Sequence, residues 1–457
     1  MNEVILVLTV LFPLLLILGL PIYVCLGIVG LTISYITDAP MVFATQNVLN
    51  GLDQFPLLAI PAFILAGNIM EKGGITEDII SIFRHAFGHI PGSLGLVTIF
   101  SCMFFAAISG SGPGTVAAIG AIMIPAMIKY GYPAAYAASV SATGGTLGVM
   151  IPPSNPLIIY GIIANVSIAD LFAAGMVPGI LTAFLLAGVA YVLARRAGAV
   201  MTEDAGAPRQ SIWKLIWKAK FALFLPILIL GGIYSGIFTP VEASVCAVVY
   251  ALVISVTIYR QLTIASLLAA FENAVKLGGA LMIIVAVSTL FATVITLERI
   301  PQNVVAAFSG ITDSAIVILL IICALLIVIG TFMETISAII ILAPILVPLV
   351  KSYGVDPVHF GIILIVTIEI AFLTPPLGVN LFVASQIANI KFEKVAIAIL
   401  PFVATLMFAM LIVIFFPQLS LWLPETLRSL RYSPVRCHPS SCKPERSGCI
   451  LSNNNPG

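Results

Sequence analysis

Residues 109–160 read SGSGPGTVAAIGAIMIPAMIKYGYPAAYAASVSATGGTLGVMIPPSNPLIIY, and this stretch decides the fold. Lys129 is its one charged residue, yet helix breakers stand at both ends: Gly110, Gly112, Pro113 and Gly114 at one, Pro152, Pro153 and Pro156 at the other. In lipid every backbone N–H and C=O needs a partner, so a broken helix is tolerated only where it is buried in protein or lines a polar cavity. Two breaks bracketing apolar helical sequence therefore mark a site.

The stretch has an echo. Pro125, Gly131, Pro152 and Pro153 recur as Pro348, Gly354, Pro375 and Pro376 at one offset of 223, and Tyr130 recurs as Tyr353. A Gly-to-Pro-Pro spacing of 21 occurring twice reads as an internal duplication.

Of 457 residues, 61% are hydrophobic and 9% charged. Soluble domains carry about a quarter charged residues, so a water-soluble fold is excluded and the chain is an all-α polytopic membrane protein. The net charge of +1, with no basic patch interleaved with aromatics, gives no sign of nucleic-acid binding. Residues 1–19 lack a basic n-region and a small-residue cleavage site, which makes them a first membrane helix and not a removed signal. Cys25, Cys102, Cys246 and Cys323 stand singly in apolar runs, as small buried hydrophobes do.

A span needs about 20 apolar residues. That measure places twelve, near 3–20, 22–37, 55–70, 93–109, 134–150, 168–195, 220–237, 242–258, 277–296, 315–333, 357–373 and 397–417. The apolar pieces 113–128, 153–165, 335–350 and 377–389 are too short or too broken to span, and look like halves of two re-entrant hairpins and two interrupted helices. Residues 76–89 and 262–276 read as amphipathic helices, lying along the interface or simply connecting. The chain divides into a first repeat, 1–195, a basic linker, 196–220, a second repeat, 221–425, and an atypical tail, 426–457. The linker faces the cytoplasm by the positive-inside rule. Cys437, Cys442, Cys449 and His438 in the tail fit no zinc spacing, and its Pro/Ser/Asn-rich composition suits disorder.

Carbonyls freed where a helix unwinds, joined by hydroxyls, can hold a sodium ion with about five or six oxygens. Ser109, Ser111 and Thr115 offer hydroxyls at the first break, and Gly148, Ile151 and Pro153 offer carbonyls at the second. The duplicate offers a second set at Gly330, Thr331, Thr335, Ala371, Thr374 and Pro376. Between them Ser154, Asn155, Thr374 and Asn380 can line a shared cavity, into which helix N-termini turn partial positive charge, as an anionic substrate requires. For any one of these residues packing is the plainer explanation: Gly144 to Gly148 suits a close helix contact, and Ser and Thr satisfy helix carbonyls. For breaks paired in both halves a site is the better one. Glu334 and Glu369 are the acids nearest the second set of breaks, and intramembrane carboxylates are candidates by default. Glu242 follows Pro240 at a helix start, where capping and function explain it equally. His85, His89 and His359 stand singly near span ends, an interfacial pattern. There is no P-loop, HExxH, GxSxG or Ser/His/Asp set, so an enzyme is not indicated.

The blocks LLAIPAFILAGNIM (57–70), SGSGPGTVAAIGAIMIPAM (109–127), ATGGTLGVMIPPSNPLIIYG (142–161), GIFTPVEAS (236–244) and LTPPLGVNLFVAS (373–385) resemble the large membrane subunit (DctM/SiaM-like) of TRAP transporters, the tripartite ATP-independent periplasmic systems, over about residues 1–425. The resemblance implies a secondary transporter of the bacterial inner membrane. It implies inverted repeats, an elevator-type scaffold with a transport domain, and Na+ as coupling ion with no other cofactor. It implies two partners: a small DctQ-like membrane subunit, expected as a separate polypeptide, and a DctP-like periplasmic substrate-binding protein. The cargo implied is a small carboxylate such as a C4-dicarboxylate or sialic acid. Family sodium sites carry over to Ser109, Gly148, Ile151 and Pro153, and a second to the region of Gly330 to Thr335 with Thr374. Each charge moved through 100 mV is worth about 2.3 kcal/mol. A dianion moved with two sodium ions is electroneutral, so the resemblance favours a monoanion or a further ion. Two other readings stand beside it: a stand-alone sodium-coupled anion symporter, and a membrane scaffold that transports nothing.

Overall fold

Glycine and proline punctuate this chain, and the helix ends follow them. A computed structural model describes residues 2–197, 212–310, 312–375 and 378–431. Among them every regular element is helical, the form that satisfies its backbone within itself.

The first half runs through an opening helix, 2–17, with a π turn at Val7–Leu11, then Ile22–Ile36, Met41–Leu52, Ala59–Lys72 entered by a 3-10 turn at Phe55–Leu58, and Ile75–Phe87. A hairpin of Leu94–Ser109 and Gly112–Lys129 follows, then a helix broken into Ala134–Met150 and Asn155–Ala164, and the long Ile168–Arg196. The second half repeats the order. It holds Ile212–Tyr234, Pro240–Ile254 continued by Ser255–Tyr259, Ile264–Leu297 and Ile300–Ser309. Its hairpin is Ala315–Gly330 with Thr335–Ser352, and its broken helix is Pro357–Phe372 with Val379–Ala388. Phe392–Ala398 and Leu400–Phe415 complete it, bent by 48° at their junction.

Backbone conformation gives the duplication a second, independent signature. Positive φ, rare outside glycine, occurs at matching turns: Gly19 and Gly236 (both 76°), Asp38 and Arg260 (53° and 54°), Gly74 and Arg299 (80° and 56°), Gly131 and Gly354 (84° and 73°), Asn165 and Asn389 (both 52°). These are left-handed helix ends, three of the pairs built from the same residue type and two from different ones.

The halves differ ahead of their hairpins. Met41–Leu52 and the next helix are separated at Asp53 and Gln54, whereas Ile264–Leu297 is continuous over 34 residues. Residues 262–276, read as a separate amphipathic or connecting helix, are therefore the first turns of a long one. Pro56 denies a backbone donor at that break, whereas Ile264–Leu297 contains no proline, so nothing interrupts its ladder.

Among the described residues eight helices are long and apolar enough to cross a membrane, or nine if the bent pair is counted as one. The expected spans 3–20, 22–37, 93–109, 315–333 and 357–373 appear as apolar helices of 10–17 residues, the first of them at Val7–Ile17. The return arms Gly112–Lys129 and Thr335–Ser352, read as too short to span, each reach 18 residues. Residues 198–211 of the basic linker and 432–457 of the tail lie outside the described residues. The segment from 426 opens in order, since the helix Gln418–Arg431 carries it to 431.

The broken helices form the centre of the core. Residues 136–161 and 358–373 are buried throughout, including Ser139, Thr143, Thr146, Ser154 and Thr367, whose polar groups an apolar core tolerates only when they are satisfied or used. Tyr160 ties the halves together, its hydroxyl donating to the Pro357 carbonyl at 2.6 Å.

Candidate functional site

Each hairpin and each broken helix supplies one C-terminus and one N-terminus, so four of each are set at the breaks. At the first hairpin tip Gly110 sits at φ 57°. A Cβ there would stand 2.8 Å from the Pro153 carbonyl oxygen, so only glycine lets the tip dock on the broken helix. The docking is sealed by the Asn155 N–H donating to the Gly110 carbonyl at 3.4 Å. Ser111 then caps the return arm by accepting from the Gly114 N–H.

Oxygens gather at this tip. Ser109 Oγ and Thr115 Oγ1 are 2.7 Å apart, and Thr115 donates to the Ser111 carbonyl at 2.8 Å. Gly148 faces them bare: a Cβ on it would lie 2.5 Å from the Ser111 carbonyl oxygen and 2.6 Å from Thr115 Oγ1. The C-termini of Leu94–Ser109 and Ala134–Met150 thus converge, both carrying partial negative charge. Ile151 is extended, with its N–H still bonded to the Leu147 carbonyl, and leads into the Pro152–Pro153 peptide, which is cis. The structure thus brings Ser109, Ser111, Gly148, Ile151 and Pro153 to one corner.

The second set is arranged alike but chemically distinct. Gly330 packs on the end of the second broken helix, where a Cβ would meet that of Ala371 at 2.7 Å. Thr335 donates to Glu369 Oε1 at 2.9 Å, and both are buried. Thr331 donates to the Val328 carbonyl, and Thr374 to the Ile370 carbonyl. Pro376 lies outside the described residues.

Three of the four residues read as a shared cavity, Ser154, Asn155 and Asn380, lie at the first hairpin. Asn380 is fully buried, with neither Oδ1 nor Nδ2 bonded. It lies against Gly112 and Gly145, where added Cβ atoms would come within 3.3 and 3.4 Å of its amide. Ser154 Oγ and Asn155 Oδ1 are also buried without a partner. Thr374 stands apart from this group in bonding, its hydroxyl donating back to the Ile370 carbonyl of its own helix. Unbonded amide and hydroxyl groups shut away from water are costly, and their convergence suits a polar ligand that supplies the missing bonds.

Other candidates resolve differently. Glu242 forms a capping box with Thr239, accepting from its N–H at 2.8 Å, so capping explains it. Glu334 caps Thr335–Ser352 by accepting from the Ser337 N–H. His359, read as interfacial, is buried and its Nδ1 lies 2.6 Å from Ser420 Oγ. It sits inside because Gln418–Arg431 folds over the start of its helix. Gly144 packs on Cys102, where a Cβ would meet Sγ at 2.7 Å, so packing accounts for that glycine. The contact of Asn380 with Gly112 escaped the sequence reading, because nothing in either segment announces a partner more than 250 residues away.

Three comparisons bear on this geometry. The family profile described as "Tripartite ATP-independent periplasmic transporter, DctM component" matches residues 9–419. The isethionate TRAP transporter permease protein DctMQ of Oleidesulfovibrio alaskensis is 42% identical over 412 residues, 90% of this chain, and the chain spans 65% of that relative's length. The C4-dicarboxylate TRAP transporter large permease protein DctM of Rhodobacter capsulatus is 36% identical over 424 residues, 90% of this chain and 96% of the relative. A crystal structure of the YdaH transporter of Alcanivorax borkumensis superposes with a TM-score of 0.61 at 15% identity, covering 83% of this chain and 88% of that one, a likeness of fold.

Proposed function

The chain belongs to the DctM component family of the tripartite ATP-independent periplasmic transporters, and from that membership we propose that it carries a small organic anion across the inner membrane, coupled to sodium. The observation that carries the proposal is the pairing of breaks: the start of Gly112–Lys129 meets Asn380 near the start of Val379–Ala388, the unbonded Ser154 and Asn155 adjoin the same hairpin tip, and in each half the first hairpin arm ends against the first arm of the broken helix. N-termini attract an anion and C-termini a cation, so one junction takes both ions of a symport.

The relatives named for isethionate and for C4-dicarboxylates share a small organic anion and differ in its acid group, a sulfonate in one and carboxylates in the other. Amide and helix-end recognition suits either, since it reads charge and hydrogen-bonding capacity and not a carboxylate alone. The ions sit on the hairpins and broken helices, which move as one body against the long helices Ala59–Lys72 and Ile264–Leu297. A small membrane subunit and a periplasmic binding protein complete the system, the latter delivering the anion.

The test is thermal unfolding of the purified chain in detergent, titrated with sodium against potassium at constant ionic strength. A ligand bound only by the folded state stabilises it by about 2.7 kcal/mol at a hundredfold excess over Kd. A sodium-specific rise in Tm is expected. Equal melting in both salts, alone and with the small subunit co-expressed, refutes the coupling.

A further inference from the structure

The second junction contains a group that its counterpart lacks. Glu369 is 1% exposed, its Oε1 accepts from Thr335, and its Oε2 has no partner. The residue at the 223 offset in the first copy is Thr146, neutral and donating to the Thr143 carbonyl at 2.7 Å. An ionised carboxylate enclosed in apolar surroundings is costly unless a cation meets it. Among the described residues no basic side chain pairs with it. Of the helices packed against Pro357–Phe372, Ala315–Gly330, Thr335–Ser352, Ala134–Met150, Asn155–Ala164 and Leu400–Phe415 bring one charged side chain between them, Lys351; Glu334, just before Thr335, adds negative charge, and Gln418–Arg431, with Glu425, Arg428 and Arg431, packs where its Ser420 meets His359 at the other end of the helix. Lys351 lies sixteen residues along its helix from Thr335, about 24 Å at 1.5 Å per residue. Ile168–Arg196 carries charge only near its ends, at Asp170, Arg195 and Arg196.

The backbone around Glu369 points the same way. Gly330, the last residue of the first hairpin arm, packs on the turn Ile368–Ala371, so a Cβ there would fall within 3.9 Å of the Ile368 carbonyl oxygen. That arm and the helix Pro357–Phe372 therefore end side by side, two sets of terminal carbonyls flanking one carboxylate. All three favour positive charge.

Resting on the sodium-coupled reading above, we infer that Glu369, with Thr335 beside it, is a direct ligand of the second transported sodium ion. The two cation positions then differ in charge: the first is made of neutral oxygens, the second holds a carboxylate that neutralises its ion.

The experiment is the sodium-against-potassium melting titration on four purified chains: unaltered, Ser109→Ala, Glu369→Gln, and the last two combined. Glu369→Gln is expected to raise the sodium concentration for half the Tm shift at least about tenfold, the lower end of what disturbing the groups around a metal does. Ser109→Ala should leave a residual sodium response, and the double variant none. A Glu369→Gln chain that keeps the full sodium-specific shift overturns the assignment, because glutamine then reproduces a permanently protonated acid. No sodium-specific shift in the unaltered chain refutes the coupling itself, which is a separate outcome. If Glu369→Gln does not fold, counting bound radioactive sodium per chain in Thr335→Val decides: loss of one ion supports the assignment, and an unchanged count overturns it.

Discussion

Asn380 of the second repeat lies against Gly112 of the first, close enough that a Cβ on Gly112 would stand 3.3 Å from both ends of its amide. Neither end is bonded. A side chain that can make several hydrogen bonds is thus held, fully buried, at the crossing of one repeat's hairpin with the other's broken helix. Folding gains nothing from those polar atoms, which suggests that the ligand does.

Asn380→Leu should separate stability from function. Removing a buried, unbonded amide relieves its desolvation cost, so Tm is expected to stay level or rise, by up to about 1–3 kcal/mol of stability. Uptake in proteoliposomes supplied with the binding protein should nevertheless be lost. A clear fall in Tm with uptake intact would place Asn380 among ordinary packing residues.

Gly148→Ala tests the first cation position by crowding it. Its Cβ would meet the Ser111 carbonyl oxygen at 2.5 Å, and backbone cannot rotate aside as a side chain does. Overpacking of this kind costs about 1–3 kcal/mol, and the sodium-specific part of the Tm shift should shrink with it. The measurement is the same titration, with Gly188→Ala, which meets nothing within 4 Å, as the comparison.

Gly67 touches the hairpin from outside. A Cβ on it would lie 3.2 Å from Ser109 Cα, so Ala59–Lys72 and the hairpin tip meet backbone to backbone. If the tip travels along that helix, Gly67→Val obstructs the travel and not the ion. Sodium should still raise Tm, while the uptake rate falls at least about tenfold, the equivalent of about 1.4 kcal/mol on the barrier. Equal losses of binding and uptake would show that Gly67 only shapes the site.

The last helix offers a contrast in stability. Arg428 reaches Asp170 at 2.6 Å with about half its side chain exposed, and the carboxylate holds the guanidinium above its ordinary pKa. Surface pairs of this kind are worth at most about 1 kcal/mol, so Arg428→Ala should barely move Tm and move it less in high salt. Ser420→Ala should cost about 1–3 kcal/mol, because it leaves the buried His359 Nδ1 without a partner. Calorimetry of both variants decides, and a larger loss for Arg428→Ala would reverse the ranking.

The sequence by itself determined a great deal of this protein. Low charge content and long apolar runs fixed the solvent, since only closed hydrogen-bonded elements survive in lipid. The offset of 223 fixed the duplication, because proline and glycine act on the backbone where they stand. The positions of the breaks followed from the same residues. These are local effects, decided within a turn or two of helix. What only the tertiary structure decided is which breaks face each other. It set Asn380 beside Gly112, buried His359 under Ser420, joined Glu369 to Thr335, and ran 262–276 into one long helix with the span that follows. Such pairings depend on how helices pack across hundreds of residues, and in an apolar chain the many faces available look alike in sequence. Shape alone, small residue against bulk and carbonyl against hydroxyl, chooses among them.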